Sequence, residues 1–413
     1  MPSSTPDWSA LASQNEKIVD GEATGEASPS VPADQRLADR PGRHRSAVPA
    51  RRSLWRSRAS RGAAAATAAL AVTGAASVPA SASTAASPSW HIVKRVHAGD
   101  AGGFTAVTAV GANGGWAFNG QSKPAAWRRS GATWTQVPFP GKSGEQVVAA
   151  EASSPTNVWA FTGGGSGSRA LRWNGSSWAV ERSFARQVGG AVVLSRDDVW
   201  VFGEPVFPGS GLGSWHFDGH TWTHAASGRG LQGGSGLSAS NVWAFGGASV
   251  ARWNGHSWSR TSVAGLLPPG NKGLNNPAVT AIYAQSASSV WAVGNGNAQD
   301  DGGPLVVLHY NGQHWAKAAG GIVSGYSVLG QVAPDAHGGL WIPLLGGSGA
   351  PSRLAHYSAG HLTVAHLPVV NPKISVLAVA GIRGSGQALA AGFTHAFNNP
   401  GGRVVAVILR YQS

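Results

Sequence analysis

The sequence predicts an all-β fold, a ring of seven small four-stranded sheets, and three observations carry that expectation. The first is a repeat. Asn157-Val158-Trp159-Ala160-Phe161 leads to Trp173-Asn174-Gly175-Ser176-Ser177-Trp178. Asn241-Val242-Trp243-Ala244-Phe245-Gly246 leads to Trp253-Asn254-Gly255-His256-Ser257-Trp258, and Ser289-Val290-Trp291-Ala292-Val293-Gly294 to Tyr310-Asn311-Gly312-Gln313-His314-Trp315. The second is the period. Trp116, Trp159, Trp200, Trp243, Trp291 and Trp341 stand 41 to 50 residues apart, room for four short strands and their turns. The third is composition: 12% charged residues and 59 glycines suit short strands joined by tight turns. A sheet this small cannot bury its own faces and must stack on its neighbours. The expected architecture is a seven-bladed β-propeller.

The chain does not begin with the repeats. Residues 1–39 are polar, rich in Ser and Pro and without usable periodicity, a composition expected to stay disordered; an alternative start near Val48 or Leu54 would leave residues 1–47 out of the protein. A basic stretch holding Arg40, Arg43, Arg45, Arg51, Arg52, Arg56, Arg58 and Arg61 precedes an Ala-rich apolar run from Gly62 to Val78 and then Ala80-Ser81-Ala82. Basic region, apolar core and A-x-A site, in that order, predict a secretory signal over residues 40–82 with cleavage after Ala82. Arg51-Arg52-Ser53-Leu54 loosely resembles a twin-arginine signal. Uncleaved, residues 62–80 would be a membrane anchor, although their Ala, Gly, Ser and Thr content is weakly hydrophobic for a stable span. Residues 83–88 form a linker, and the propeller is expected over 89–413.

Within the propeller, short apolar segments open the repeats: Thr105-Ala106-Val107, Val147-Val148-Ala149, Ala191-Val192-Val193, Val279-Thr280-Ala281-Ile282 and Ser375-Val376-Leu377-Ala378-Val379. The Trp segments are the second strands, and Ala388-Leu389-Ala390-Ala391-Gly392 is a degraded seventh copy. Third strands are expected to end on Trp127, Trp173, Trp215, Trp253, Tyr310, Tyr357 and Tyr411, and fourth strands to start at Trp134, Trp178, Trp222, Trp258, Trp315 and Leu362. The seventh copy stops after its third strand. Its missing fourth strand is found at the other end, in Ser89-Trp90-His91-Ile92-Val93, which predicts ring closure by residues 89–96 against 404–411 and cover for an otherwise open edge. The Asn-Gly pairs at 174, 254 and 311, and Asp218-Gly219, predict two-residue type I′ hairpins.

An apolar second strand ending in Gly, an aromatic on the third strand and Trp on the fourth resemble kelch-type repeats. They also resemble the Trp-rich repeat proteins that high-GC bacteria export, mostly without assigned activity. The resemblance covers residues 89–413. It departs from kelch in the double Gly, clear only at Gly163-Gly164 and Gly246-Gly247, and in the shorter aromatic-to-Trp spacing. WD-type repeats fit less well, because the Trp-Asp and Gly-His marks are missing. Asp218-Gly219-His220-Thr221-Trp222 is similar to the Asp-box of sialidase-like propellers but lacks its usual spacing. What the resemblance implies is a fold and not an activity.

Composition narrows the chemistry. With no Cys there is no disulfide, thiolate metal site, Cys nucleophile or galactose-oxidase-type Cys–Tyr cofactor. Residues 1–82 carry ten Lys/Arg and seven Asp/Glu, and residues 83–413 carry 21 and 11, leaving +10 on the propeller. That charge favours anionic polymers or surfaces, but the basic residues are scattered, and without a basic helix or RNP-like motif no nucleic-acid partner is expected. The adjacent pair Asp197-Asp198 reads as a turn, and alternating His216, His220 and His224 as exposed hairpin positions; no catalytic residue, cofactor or metal site is assigned.

Function is expected on loops carried by the rigid ring. Connections between second and third strands and from blade to blade open on one face, and they vary most at 204–213, 265–277, 295–304, 344–352 and 394–402. The candidate ligand-binding residues are Asn275, Asn276, Gln299, Asp300, Asp301, His395, Asn398 and Asn399. The expected protein is a secreted or envelope-associated monomer, a non-catalytic propeller that recognises a glycan or protein. The alternative is a polysaccharide hydrolase or lyase, which needs acidic residues converging on the ring mouth.

Overall fold

Seven antiparallel sheets are built from the repeats; six follow chain order from the axis outward, and the seventh takes its outermost strand from Ser89–His97. The structure is a computed structural model describing residues 88–97, 102–120, 123–164, 167–203, 212–269, 277–296, 303–321, 326–328, 331–335, 337–346, 351–383, 385–394 and 404–412. The chain divides into two units, Met1–Pro79 and Ala80–Ser413, and every described residue belongs to the second. The expected disordered segment, the signal region and the linker up to residue 87 lie outside the described residues.

The second blade shows how the pattern works. Its strands are Gln146–Ser154, Asn157–Gly163, Ser168–Trp173 and Trp178–Phe184. The second strand is buried at every position because adjacent blades cover both of its faces, so it reads as a continuous apolar run. The outermost strand buries its first and last residues, Trp178 and Phe184, and exposes most of those between.

Blades are joined by a one-way aromatic contact. The second-strand Trp of each of the first six blades packs against the third-strand aromatic of the next and, in all but the fifth, against that blade's fourth-strand Trp. Trp116 meets Trp173 at 4.9 Å and Trp178 at 5.1 Å, and Trp200 meets Trp253 at 5.0 Å and Trp258 at 5.3 Å. Trp159 meets Phe217 and Trp222, and Trp243 meets Tyr310 and Trp315. Edge-on and tilted ring pairs of this kind add about 0.5–1.5 kcal/mol beyond the area they bury. In the seventh blade Leu389 replaces the Trp and packs with Trp134 of the first.

Ring closure follows the expectation. Ser89–His97 is the outermost strand of the seventh blade, paired from Ser89↔Gln412 to His97↔Val405 with an irregularity between Ile92 and Lys94. Its Trp90 is 4% exposed and takes the place of a fourth-strand Trp against Trp341 and Tyr411.

Two local expectations are corrected. The position opposite the fourth-strand Trp belongs to Arg129 and Phe217, not to Trp127 and Trp215, which lie two residues earlier. The Asn-Gly hairpins are four-residue loops: Trp173 pairs with Trp178, and only the Gly (φ 108° at Gly175) is left-handed. The Asn174 side chain explains the difference, because its Oδ1 accepts from the Ser176 and Ser177 amides at 2.9 and 3.0 Å and organises the loop itself. Asn254 and Asn311 do the same. A two-residue turn with both residues left-handed does occur in the sixth blade, at Ala359 (φ 49°) and Gly360 (φ 83°) between the paired Ser358 and His361. Among the described residues no helix is long and apolar enough to cross a membrane.

Candidate functional site

Strand direction places the connections between second and third strands, and those from blade to blade, at one end of the ring; the hairpin turns lie at the other. The connections that carry Asn275, Asn276, Gln299, Asp300, Asp301, His395, Asn398 and Asn399 therefore start and finish at the first end. All eight residues lie outside the described residues.

The inner strands bring together a different group. The residue directly opposite the second-strand Trp is Glu151 in the second blade and Tyr283 in the fifth. Gln331 of the sixth blade reaches across the ring: its Nε2 donates to Glu151 Oε1 at 2.7 Å and to the Ala150 carbonyl at 3.4 Å. The reach comes from an interrupted inner strand. Val328 pairs with Leu344 and Ala333 with Trp341, so the inner strand has two more residues than its partner over this stretch, and Gln331 lies in the excess.

Burial pushes the Glu151 carboxyl up to about 7, against the opposing pull of the Gln331 hydrogen bond and the Arg383 charge. Its side chain keeps some exposed surface because it borders the axis, yet the surrounding strands remove enough water to disfavour the charge. Burial also raises Tyr283, and Arg383 again opposes. Sequence reasoning missed this group, since Glu151 sits inside an apolar segment and its partner is 180 residues away.

An acid–base pair would need a second carboxylate beside Glu151. Among the described residues Arg383 is the charge acting on it, and the other carboxylates are committed elsewhere. Glu145 receives Arg169 Nε at 2.7 Å; burial pushes its carboxyl up, but the hydrogen bonds from Arg169 and the Lys142 amide hold it below the usual value. Asp198 pairs with His216 and Asp335 with His356, both at 2.9 Å. Asp218 caps its own turn, Asp197 lies 3.5 Å from Arg196, and Glu181 lies 4.0 Å from Arg172.

A further pattern escaped the sequence reading. The residue opposite each second-strand Trp on the third strand is cationic or imidazole: Arg128, Arg172, His216, Arg252, His309 and His356, with Arg410 opposite Leu389. Each of the first six covers its indole, from 3.9 Å for His356 on Trp341 to 6.0 Å for Arg128 on Trp116. Polar side chains near the start of the second strand accept from several, as Asn241 does from Arg252 and Gln387 from Arg410. The signal was an Arg or His immediately before the hairpin aromatic. His216 is thus occupied by Trp200 and Asp198, and the described residues hold no cluster of three metal-ligating side chains.

These features define a seven-bladed β-propeller. No family model matches the chain, and no curated protein does. Among solved structures it is similar to U3-55K (11% identity, 79% of this chain and 98% of that one, TM-score 0.52). It is likewise similar to YCF48 from Cyanidioschyzon merolae (14% identity, 78% and 99%, TM-score 0.50). The extracellular domain of a putative hybrid two-component system of B. thetaiotaomicron aligns at 10% identity over 74% of this chain and 38% of that chain, with a TM-score of 0.50. At such identities the likeness is one of fold alone.

Proposed function

We propose that this protein is a secreted, kelch-like binding or scaffold propeller that recognises a glycan or protein at the extracellular surface through its loop-bearing end. One observation carries the reading: the longest connections, of unequal length, are gathered at one end of a rigid ring, while short hairpin turns occupy the other. Among the described residues Glu151 is the carboxylate that borders the axis, and its hold by the Gln331 amide supports binding over hydrolysis or lysis. In this reading the leader is removed after Ala82, and Asn275, Asn276, Gln299, Asp300, Asp301, His395, Asn398 and Asn399 supply polar contacts to the ligand.

A glycan array and a cell-wall pull-down with the purified chain test recognition, and shortening of 295–304 tests its location. The expected result is retained thermal stability with lost binding. Unchanged affinity after that deletion, and after substitution of His395, Asn398 and Asn399, would place recognition elsewhere. N-terminal sequencing of protein from the culture medium tests export; a cytosolic chain still starting at Met1 would refute it.

A further inference from the structure

The shift of the first blade's hairpin aromatic takes Trp127 away from Trp134 and sets it edge-on to Phe104 at 6.5 Å, at the margin of the core shared by the seventh and first blades. Arg129 holds the place opposite Trp134, and Trp127 lies half-buried with its Nε1 unbonded among the described residues. It borders a groove of about 690 Å3 at the junction where the closing strand of the seventh blade meets the first blade. That size is within the range of small-ligand sites.

The groove's other groups share a chemistry. Asn119 lines it at 3% exposure, and its Oδ1 has no hydrogen-bond partner among the described residues. A buried acceptor left unmatched keeps the full cost of its lost hydration, so native structures seldom leave one without a partner. Gln136, the cross-strand neighbour of Trp127, adds a second amide. His97 and Lys123 bring cationic or potentially cationic groups, and the Lys94 ammonium sits 4.9 Å from the Trp127 ring centroid. Among the described residues no carboxylate lines the groove.

We propose that this groove binds an acidic saccharide, a sugar ring carrying a carboxylate, and this deepens the binding reading above, on which it rests. The apolar face of the ring packs beside Trp127 and Phe139, the amides of Asn119 and Gln136 meet its hydroxyls, and Lys123 and His97 face its carboxylate. Lys123, His97 and Gln136 are exposed, so the polar half of the site is reachable from solvent.

The test uses the full chain and trigalacturonic acid, followed by calorimetry and tryptophan fluorescence, with the methyl-esterified trimer as the uncharged comparison. The acid is expected to bind at least about ten-fold more tightly than the ester at low salt, with the difference shrinking as salt rises. Lys123→Glu, at an exposed position, should weaken the acid by about ten-fold or more without moving the unfolding midpoint. Trp127→Ala should abolish binding. Equal affinity for acid and ester, no binding at millimolar concentration, or affinity unchanged in Lys123→Glu would each overturn the proposal, even if Trp127→Ala fails to fold. A neutral glycan or protein captured in the absence of acid binding would remove this inference and leave the broader binding role standing. Capture of nothing would remove both.

Discussion

Replacing Trp90 by Ala tests whether the first strand of the propeller is what closes it. The indole is 4% exposed and lies 5.1 Å from Trp341 and 5.4 Å from Tyr411. Truncating a buried Trp to Ala costs about 3–5 kcal/mol, from lost transfer energy and the cavity left behind. Against a typical stability of about 5–15 kcal/mol, this is a large fraction. The structure also supplies a milder change. Leu362 occupies the corresponding position opposite Tyr357 in the sixth blade, so Trp90→Leu should cost less than Trp90→Ala, about 1–3 kcal/mol by the same reasoning. Urea unfolding gives the global loss, and hydrogen exchange at Val405–Gln412 reports whether the closing strand has left its partner. An Ala variant that loses under about 1 kcal/mol, with the amides of Val405–Gln412 as protected as in the parent, would refute this account of closure.

Two further outcomes follow from the turns. Ala359→Asn should raise stability by about 0.5–1 kcal/mol, because Asn tolerates the left-handed conformation that costs Ala about 1–2 kcal/mol; a lower urea midpoint would contradict the φ of 49° found there. Asp218 is held down at about 2 by the amides of Thr221 and His220, so its stabilising contribution is present above its unfolded pKa near 4 and is lost as pH falls towards 2. Asp218→Asn keeps the acceptor that Asn174, Asn254 and Asn311 provide in equivalent loops. It should leave neutral stability nearly unchanged and reduce acid sensitivity between pH 4 and 2. An unchanged acid limb in thermal melts would show that Asp218 does not contribute.

The features legible in the sequence were those that recur. The second-strand Trp and the hairpin Gly repeat because every blade meets the same packing problem, and that periodicity disclosed blade number and closure. The inner strand of the fourth blade was missed because it reads Gly233-Gly234-Ser235-Gly236-Leu237-Ser238, and its one large apolar side chain, Leu237, is exposed. Its neighbours supply them: a Cβ on Gly234 would stand 2.9 Å from a Phe202 ring carbon, and one on Gly236 would stand 2.5 Å from Leu194. A strand whose bulk is lent by an adjacent blade has no pattern of its own. The Glu151–Gln331 contact was illegible for a related reason, since it depends on an interrupted strand in another blade. The candidate residues on the connections followed from loop length alone, which indicates where variation is tolerated and says little about which side chains converge.

The pairing of Ser89–His97 with Val405–Gln412 also imposes an order in time. The strand emerging first from the ribosome is the one used last, because its partner lies at the far end of the propeller. Until then the third strand of the seventh blade has no neighbour on its outer side. Contacts so distant along the chain slow folding, while the entropy of closing the longer loop grows only logarithmically. A nascent ring can therefore assemble blade by blade through its aromatic contacts and still remain open until Val405–Gln412 has been made.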